Sequence, residues 1–95
     1  MALLIYKDTG GRYFDFIVPS KPFTIGRSTM ADVSIPDDER MSRVHCEIRR
    51  EGGHYYIRDL DSKNGTWVNQ ERIKKSQIKF GDKIKVGHTI LAFDS

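Results

Sequence analysis

Turn-forming residues break this chain every few positions, and no uninterrupted apolar stretch is longer than a short strand needs. Between the breaks, apolar and polar residues alternate. Phe14, Phe16 and Val18 do so in one segment, Tyr55 and Ile57 in another, Ile84 and Val86 in a third. A period of two sends alternate side chains to opposite faces of a strand, whereas a helix needs a period near 3.6. The alternation predicts strands over residues 2–7, 12–18, 23–25, 33–35, 44–50, 54–60, 71–73, 77–80, 83–86 and 89–93. Residues 65–69 read as a tight irregular piece. Asp8-Thr9-Gly10-Gly11, Pro19, Pro36, Gly52-Gly53, Gly81-Asp82 and Gly87-His88 mark the turns and stops. Composition agrees: Ile and Val number 15, while Ala, Leu and Met together number 10 and Glu only four. The expected fold class is all-β, a two-sheet sandwich of about ten to eleven short strands.

Size and charge narrow the function. A 95-residue chain supports one core, so a single domain over 1–95 is expected. No run of about 20 apolar residues offers a membrane span, and residues 2–6 are too short for a signal-peptide core. One cysteine, Cys46, cannot form a disulfide framework and suits a reducing compartment. A cytoplasmic location is expected; the weak basic cluster at 72–75 leaves a nuclear one open. A net charge of +3 does not by itself indicate nucleic acid.

In sandwiches, function usually sits in the loops at one end, and three loops carry unusual groups. Gly26-Arg27 closes a strand with a permissive residue followed by a planar fork of donors. Ser42-Arg43-Val44-His45 sets a hydroxyl beside a guanidinium where a loop meets a strand, a combination able to line an anion pocket. Alternation puts His45 on the face opposite Val44 and Cys46, from where it can brace the loop. Asn64-Gly65-Thr66-Trp67-Val68-Asn69 opens on a turn signal, yet its flanks do not read as a simple hairpin. Each loop alone reads most simply as surface turn chemistry.

In this order and spacing on an all-β chain, Gly26-Arg27, Ser42-x-x-His45 and Asn64-Gly65-Thr66-x-x-Asn69 resemble the forkhead-associated (FHA) domain. The similarity runs from Leu3 to Phe93 and includes Gly81-Asp82 followed by Ile84 and Gly87. It implies a β-sandwich that binds phosphothreonine peptides through loops at one end, with no catalysis and no cofactor. By the same resemblance Arg27 and Ser42 contact the phosphate, Arg43 faces it, and Asn64 holds the peptide main chain. Gly26, His45, Gly65, Thr66 and Asn69 shape the loops, and Lys63 lies at a variable position beside Asn64. FHA domains commonly read the third residue after the phosphothreonine. Arg40, two residues before Ser42, is expected to favour an acidic or polar side chain there together with Lys63. The competing reading is that Arg40 offsets Asp37, Asp38 and Glu39. The partners implied are phosphothreonine proteins, in cis or trans, downstream of a Ser/Thr kinase.

Other readings stay open at this stage. Residues 70–88 hold Arg72, Lys74, Lys75, Lys79, Lys83 and Lys85 against two acids. That local excess could meet an acidic partner or a nucleic-acid backbone, although Phe80 alone among aromatics interrupts it. Ser42, His45 and Asp59 or Asp61 could be imagined as a catalytic triad, but triads are defined by geometry. Cys46 reads as a small core residue. An FHA fold that engages partners without phosphate, through a sheet face, is the main alternative; Trp67, Tyr13, Tyr55 and Tyr56 are the aromatics available for it.

Overall fold

A computed structural model of the chain describes residues 1–8 and 10–95; the expected turn at 8–11 therefore falls partly, at Thr9, outside the described residues. Among the described residues eleven strands occur: β1 Leu3–Lys7, β2 Tyr13–Ile17, β3 Phe23–Gly26, β4 Val33–Ser34, β5 Cys46–Glu51, β6 His54–Asp59, β7 Thr66–Val68, β8 Glu71–Ile73, β9 Lys75–Ile78, β10 Lys83–Val86 and β11 Thr89–Asp94. They form a six-stranded sheet, β2-β1-β11-β10-β7-β8, and a five-stranded sheet, β4-β3-β5-β6-β9. β3 and β4 pair in parallel; the other pairs are antiparallel. Among the described residues no helix is long and apolar enough to cross a membrane.

The core lies between the sheets because register aligns the apolar phase of each strand. In the first sheet Leu4 faces Phe93, and Ile84 faces both Leu91 and Val68. In the second, Ile25 faces Cys46 and Val33, and Ile48 faces Ile57. Leu4, Ile25, Ile48, Ile57, Ile84, Val86 and Leu91 are fully buried, each such side chain stabilising the fold by about 1.5–3 kcal/mol. The outward positions of β10, Lys83 and Lys85, are exposed.

Three segments depart from the expected pattern. Residues 66–68 of the irregular piece form β7, paired on both sides. The turn into β8 is not at Asn64-Gly65 but at Asn69-Gln70, whose φ values of 49° and 71° suit a two-residue hairpin loop. The strand expected over 77–80 runs instead from Lys75 to Ile78. Lys79 already belongs to a turn, its N–H donating to the Asp82 carboxylate and its carbonyl accepting from Asp82 N. The alternation expected over 44–50 starts only at Cys46. Val44 is 43% exposed while His45 is buried, because residues 42–44 belong to a loop that crosses β3.

Candidate functional site

The loops β3–β4, β4–β5 and β6–β7 meet at one end of the sandwich. The crossing begins at Gly26. A Cβ there would lie 2.0 Å from the Arg43 carbonyl oxygen and 3.0 Å from the Val44 Cα, so only glycine lets the β4–β5 loop lie on β3. With the loop in place, Arg27 N donates to the Ser42 carbonyl and Ser28 N to that of Arg43, both at 3.0 Å. The exposed Arg27 side chain is aimed by its Nε, which donates to the Met41 carbonyl at 3.1 Å. Both Nη groups are left with no protein partner among the described residues.

His45 ties this loop to the next. Ser42 N donates to His45 Nδ1 at 2.9 Å, so Nδ1 carries the lone pair and Nε2 the proton. Nε2 then donates to the Gly65 carbonyl at 2.8 Å. A fully buried imidazole with both nitrogens bonded holds two loops in register. Ser42 Oγ accepts from Lys63 N at 3.0 Å, which leaves its own proton free to donate outward. Asn64 Nδ2 donates to the Arg40 carbonyl at 2.8 Å, which leaves Oδ1 and the second Nδ2 hydrogen available. The imagined triad does not form: the imidazole receives the backbone N–H of Ser42, not its hydroxyl, and Asp59 Oδ1 is 4.0 Å from Nε2.

Beneath the β6–β7 loop lies a residue that the sequence reading named only for the triad. Asp59 accepts from the hydroxyls of Ser62 and Thr66 and from Ser62 N. Burial pushes its carboxyl up, but these three donors, with His45 nearby, outweigh that and hold it below the usual carboxylate value. Thr66 is fully buried, and Gly65, at φ 88°, donates to Ser62 Oγ. Asn69 is not part of this cluster. Its side chain donates to Asp82 and accepts from Lys83 N, pinning the β7–β8 turn to the start of β10.

Asp38 entered the sequence reading only as one of three acids that Arg40 could offset. It is instead buried, and its carboxylate accepts from Arg40 N, His88 N and Thr89 Oγ1. This ties the β10–β11 turn to the β4–β5 loop. No sequence signal separates it from its exposed neighbours Asp37 and Glu39. The guanidinium of Arg40 is left out of that network. Arg27, Arg40, Arg43 and Lys63 are all exposed, and among the described residues none of their charged groups lies within 4.0 Å of a carboxylate. The result is an open cationic surface with preset donors, suited to a tetrahedral oxyanion. The basic run 70–88, by contrast, is divided: Arg72, Lys83 and Lys85 belong to the first sheet and Lys75 to the second.

A sandwich whose end loops are braced around a glycine crossing, with an arginine, a serine and an asparagine presented outward, defines a protein-docking module. The chain belongs to the FHA family, whose family model matches residues 23–87. It is 34% identical over 92 residues to the glycogen accumulation regulator GarA of Mycolicibacterium smegmatis, covering 97% of this chain and 58% of that protein. The chain thus spans little more than half the length of that relative. Among solved structures it is similar to the FHA domain of FhaA in complex with an intracellular domain of another protein. That match has a TM-score of 0.86 and 33% identity, covering 98% of this chain and 99% of that one. It is also similar to Mycobacterium tuberculosis EmbR in complex with a low-affinity phosphopeptide, with a TM-score of 0.78 and 30% identity, covering 97% of this chain and 24% of that one.

Proposed function

We propose that this chain docks phosphothreonine-bearing protein segments on the surface formed by Arg27, Ser42, Arg43, Lys63 and Asn64, without doing chemistry on them. The observation that carries the reading is the Arg27–Ser42 pair. One guanidinium edge is spent on the Met41 carbonyl, which turns two Nη groups outward beside a hydroxyl whose proton is free. A phosphate brings about −1.5 to −2 charges and three strong acceptors to such a site. Asn64 holds the bound main chain through its amide, Oδ1 accepting a peptide N–H and the second Nδ2 hydrogen donating to a peptide carbonyl, the first being committed to Arg40. Arg40 and Lys63 then favour an acidic or polar side chain near the phosphothreonine. A small apolar slot for the γ-methyl is worth about 1 kcal/mol, or roughly five- to tenfold over phosphoserine.

The phosphopeptide bound by EmbR and the complex formed by FhaA support this use of the fold. The working unit is residues 1–95 as one domain. β1, β2 and β11 lie outside the family-matched span, yet the first sheet includes them. The partner is the product of a Ser/Thr kinase, in cis or in trans. A lone, buried cysteine suits a cytoplasmic setting.

Calorimetric titration with degenerate phosphothreonine, phosphoserine and unphosphorylated peptide pools tests the proposal. Binding is expected with phosphothreonine, and Arg27→Ala should weaken it by about 2–4 kcal/mol. Ser42→Ala should cost about 1–2 kcal/mol. Equal binding of all pools, or binding indifferent to Arg27→Ala, would reject the phosphate site in favour of a phosphate-independent surface.

A further inference from the structure

Beside the loop that carries Lys63 and Asn64 runs a groove of about 380 Å³ lined by Asp59, Asp61, Ser62, Arg72, Ile73 and Lys74. The Arg72 side chain is seated against that loop. A Cβ on Gly65 would lie 2.6 Å from Arg72 Nε and 3.0 Å from its Cζ, so the absent side chain of Gly65 is the space the guanidinium fills. The Arg72 guanidinium also lies over the Trp67 ring, its Cζ 6.0 Å from the centroid. Arg72 and Lys74 are exposed, and among the described residues neither has a carboxylate within 4.0 Å. Of the two acids in the groove, Asp59 is spent on Ser62 and Thr66. Asp61 is exposed at a φ of 54°.

We infer that this groove is a second reading site for the bound segment, in which Arg72 and Lys74 select an acidic side chain near the phosphothreonine. The inference rests on the phosphopeptide reading above and adds to it a position separate from any read by Arg40. Arg40 meets the β6–β7 loop through the Asn64 amide, while Arg72 meets it at Gly65 and belongs to β8 of the other sheet. The spacing is within reach. Ser42 Oγ is 3.0 Å from Lys63 N, and two residues of chain lead from there to Gly65, so Arg72 Nε stands no more than about 16 Å from the phosphate-facing hydroxyl. An extended segment covers that in about five residues or fewer. Two cations at the edge of an already cationic surface give a carboxylate there a favourable field, strongest at low salt.

A single Glu, walked from five residues before to five after the phosphothreonine in an otherwise uncharged peptide, tests this by fluorescence polarisation. For the wild-type chain, Glu at one or two positions should tighten binding roughly three- to fivefold at low salt. In Arg72→Glu/Lys74→Glu the gain at one of those positions should reverse, with Lys preferred there, on top of a position-independent loss of affinity for the phosphate itself that fades as salt is raised. Arg72→Gln/Lys74→Gln should lose the preference without reversing it, and an unchanged melting temperature would separate that loss from unfolding. A Glu preference that persists in both variants at every position would overturn the groove and leave the phosphate site standing. A wild-type chain that binds no phosphothreonine peptide would overturn both.

Discussion

The carboxylate of Asp38 accepts the hydroxyl of Thr89 at 2.6 Å, joining two residues 51 positions apart in the chain. The same Oδ2 accepts His88 N, and Oδ1 accepts Arg40 N, so one buried acid sets both the loop that carries Arg40 and the last turn of the sandwich. Removing it leaves two partly buried backbone N–H groups and the buried Thr89 hydroxyl without their acceptor. Asp38→Ala should lower unfolding free energy by about 2–4 kcal/mol. It should also loosen phosphopeptide binding, although Asp38 touches no ligand. Denaturant midpoints and titrations on the same variant measure the two effects. An unchanged midpoint would show that the buried acid does not hold the loop.

Gly26→Ala isolates the crossing of the β4–β5 loop over β3. Gly26 is not at a left-handed φ, so the cost is steric: the added methyl must displace the Arg43 carbonyl. Overpacking against backbone is expected to cost about 3 kcal/mol, and the displaced loop carries Ser42 and Arg43. Thermal melts and phosphopeptide titrations should fall together. A variant with wild-type melting and affinity would mean that the loop can pass elsewhere.

His45→Ala should act through two loops at once, since it leaves Ser42 N and the Gly65 carbonyl unpaired. A loss of about 2–4 kcal/mol in stability, with weakened binding, is expected. His45→Phe separates packing from hydrogen bonding. It refills the volume without restoring either bond, and so should recover little of the binding. Lost binding with unchanged melting in His45→Ala would assign the histidine to the ligand rather than to the brace.

Asp59 predicts the acid limb. Its carboxyl is held below the usual value of 3.8 in the folded state, chiefly by the Ser62 and Thr66 hydroxyls acting against burial. Its stabilising contribution is therefore fully present above about pH 4 and is lost as the pH falls through the folded-state value. Unfolding midpoints measured from pH 6 down to pH 2 should drop less steeply in Asp59→Asn than in the wild type, and start lower at pH 6. Parallel curves would show that Asp59 titrates alike in both states.

Most of the strand pattern could be read directly. Period-two alternation located β10 and β11 because their inner residues, Ile84, Val86, Leu91 and Phe93, all face one core. Where the alternation misled, a long-range contact was responsible. His45 continues the β5 phase on paper, yet it is buried and Val44 exposed, because the chain there is bonded to β3 rather than extended in the sheet. Asn64-Gly65 has the residues of a hairpin turn but serves the His45 brace, and the hairpin falls at Asn69-Gln70.

The site shows the same division. Arg27, Ser42, His45, Asn64 and Gly65 could be named because their order and spacing resemble the FHA pattern; taken singly, each reads as surface turn chemistry. Asp38, Asp59 and the Arg72 groove could not. Nothing local distinguishes Asp38 from Asp37, or Arg72 from the other cations of residues 70–88. Sequence alone determined the class of fold and the groups available to hold a phosphate, because strand periodicity and donor chemistry are local properties. Tertiary structure alone decided which acids are buried, which donors are already spent and which cations border the site, because those depend on which distant backbone segments come to lie against one another.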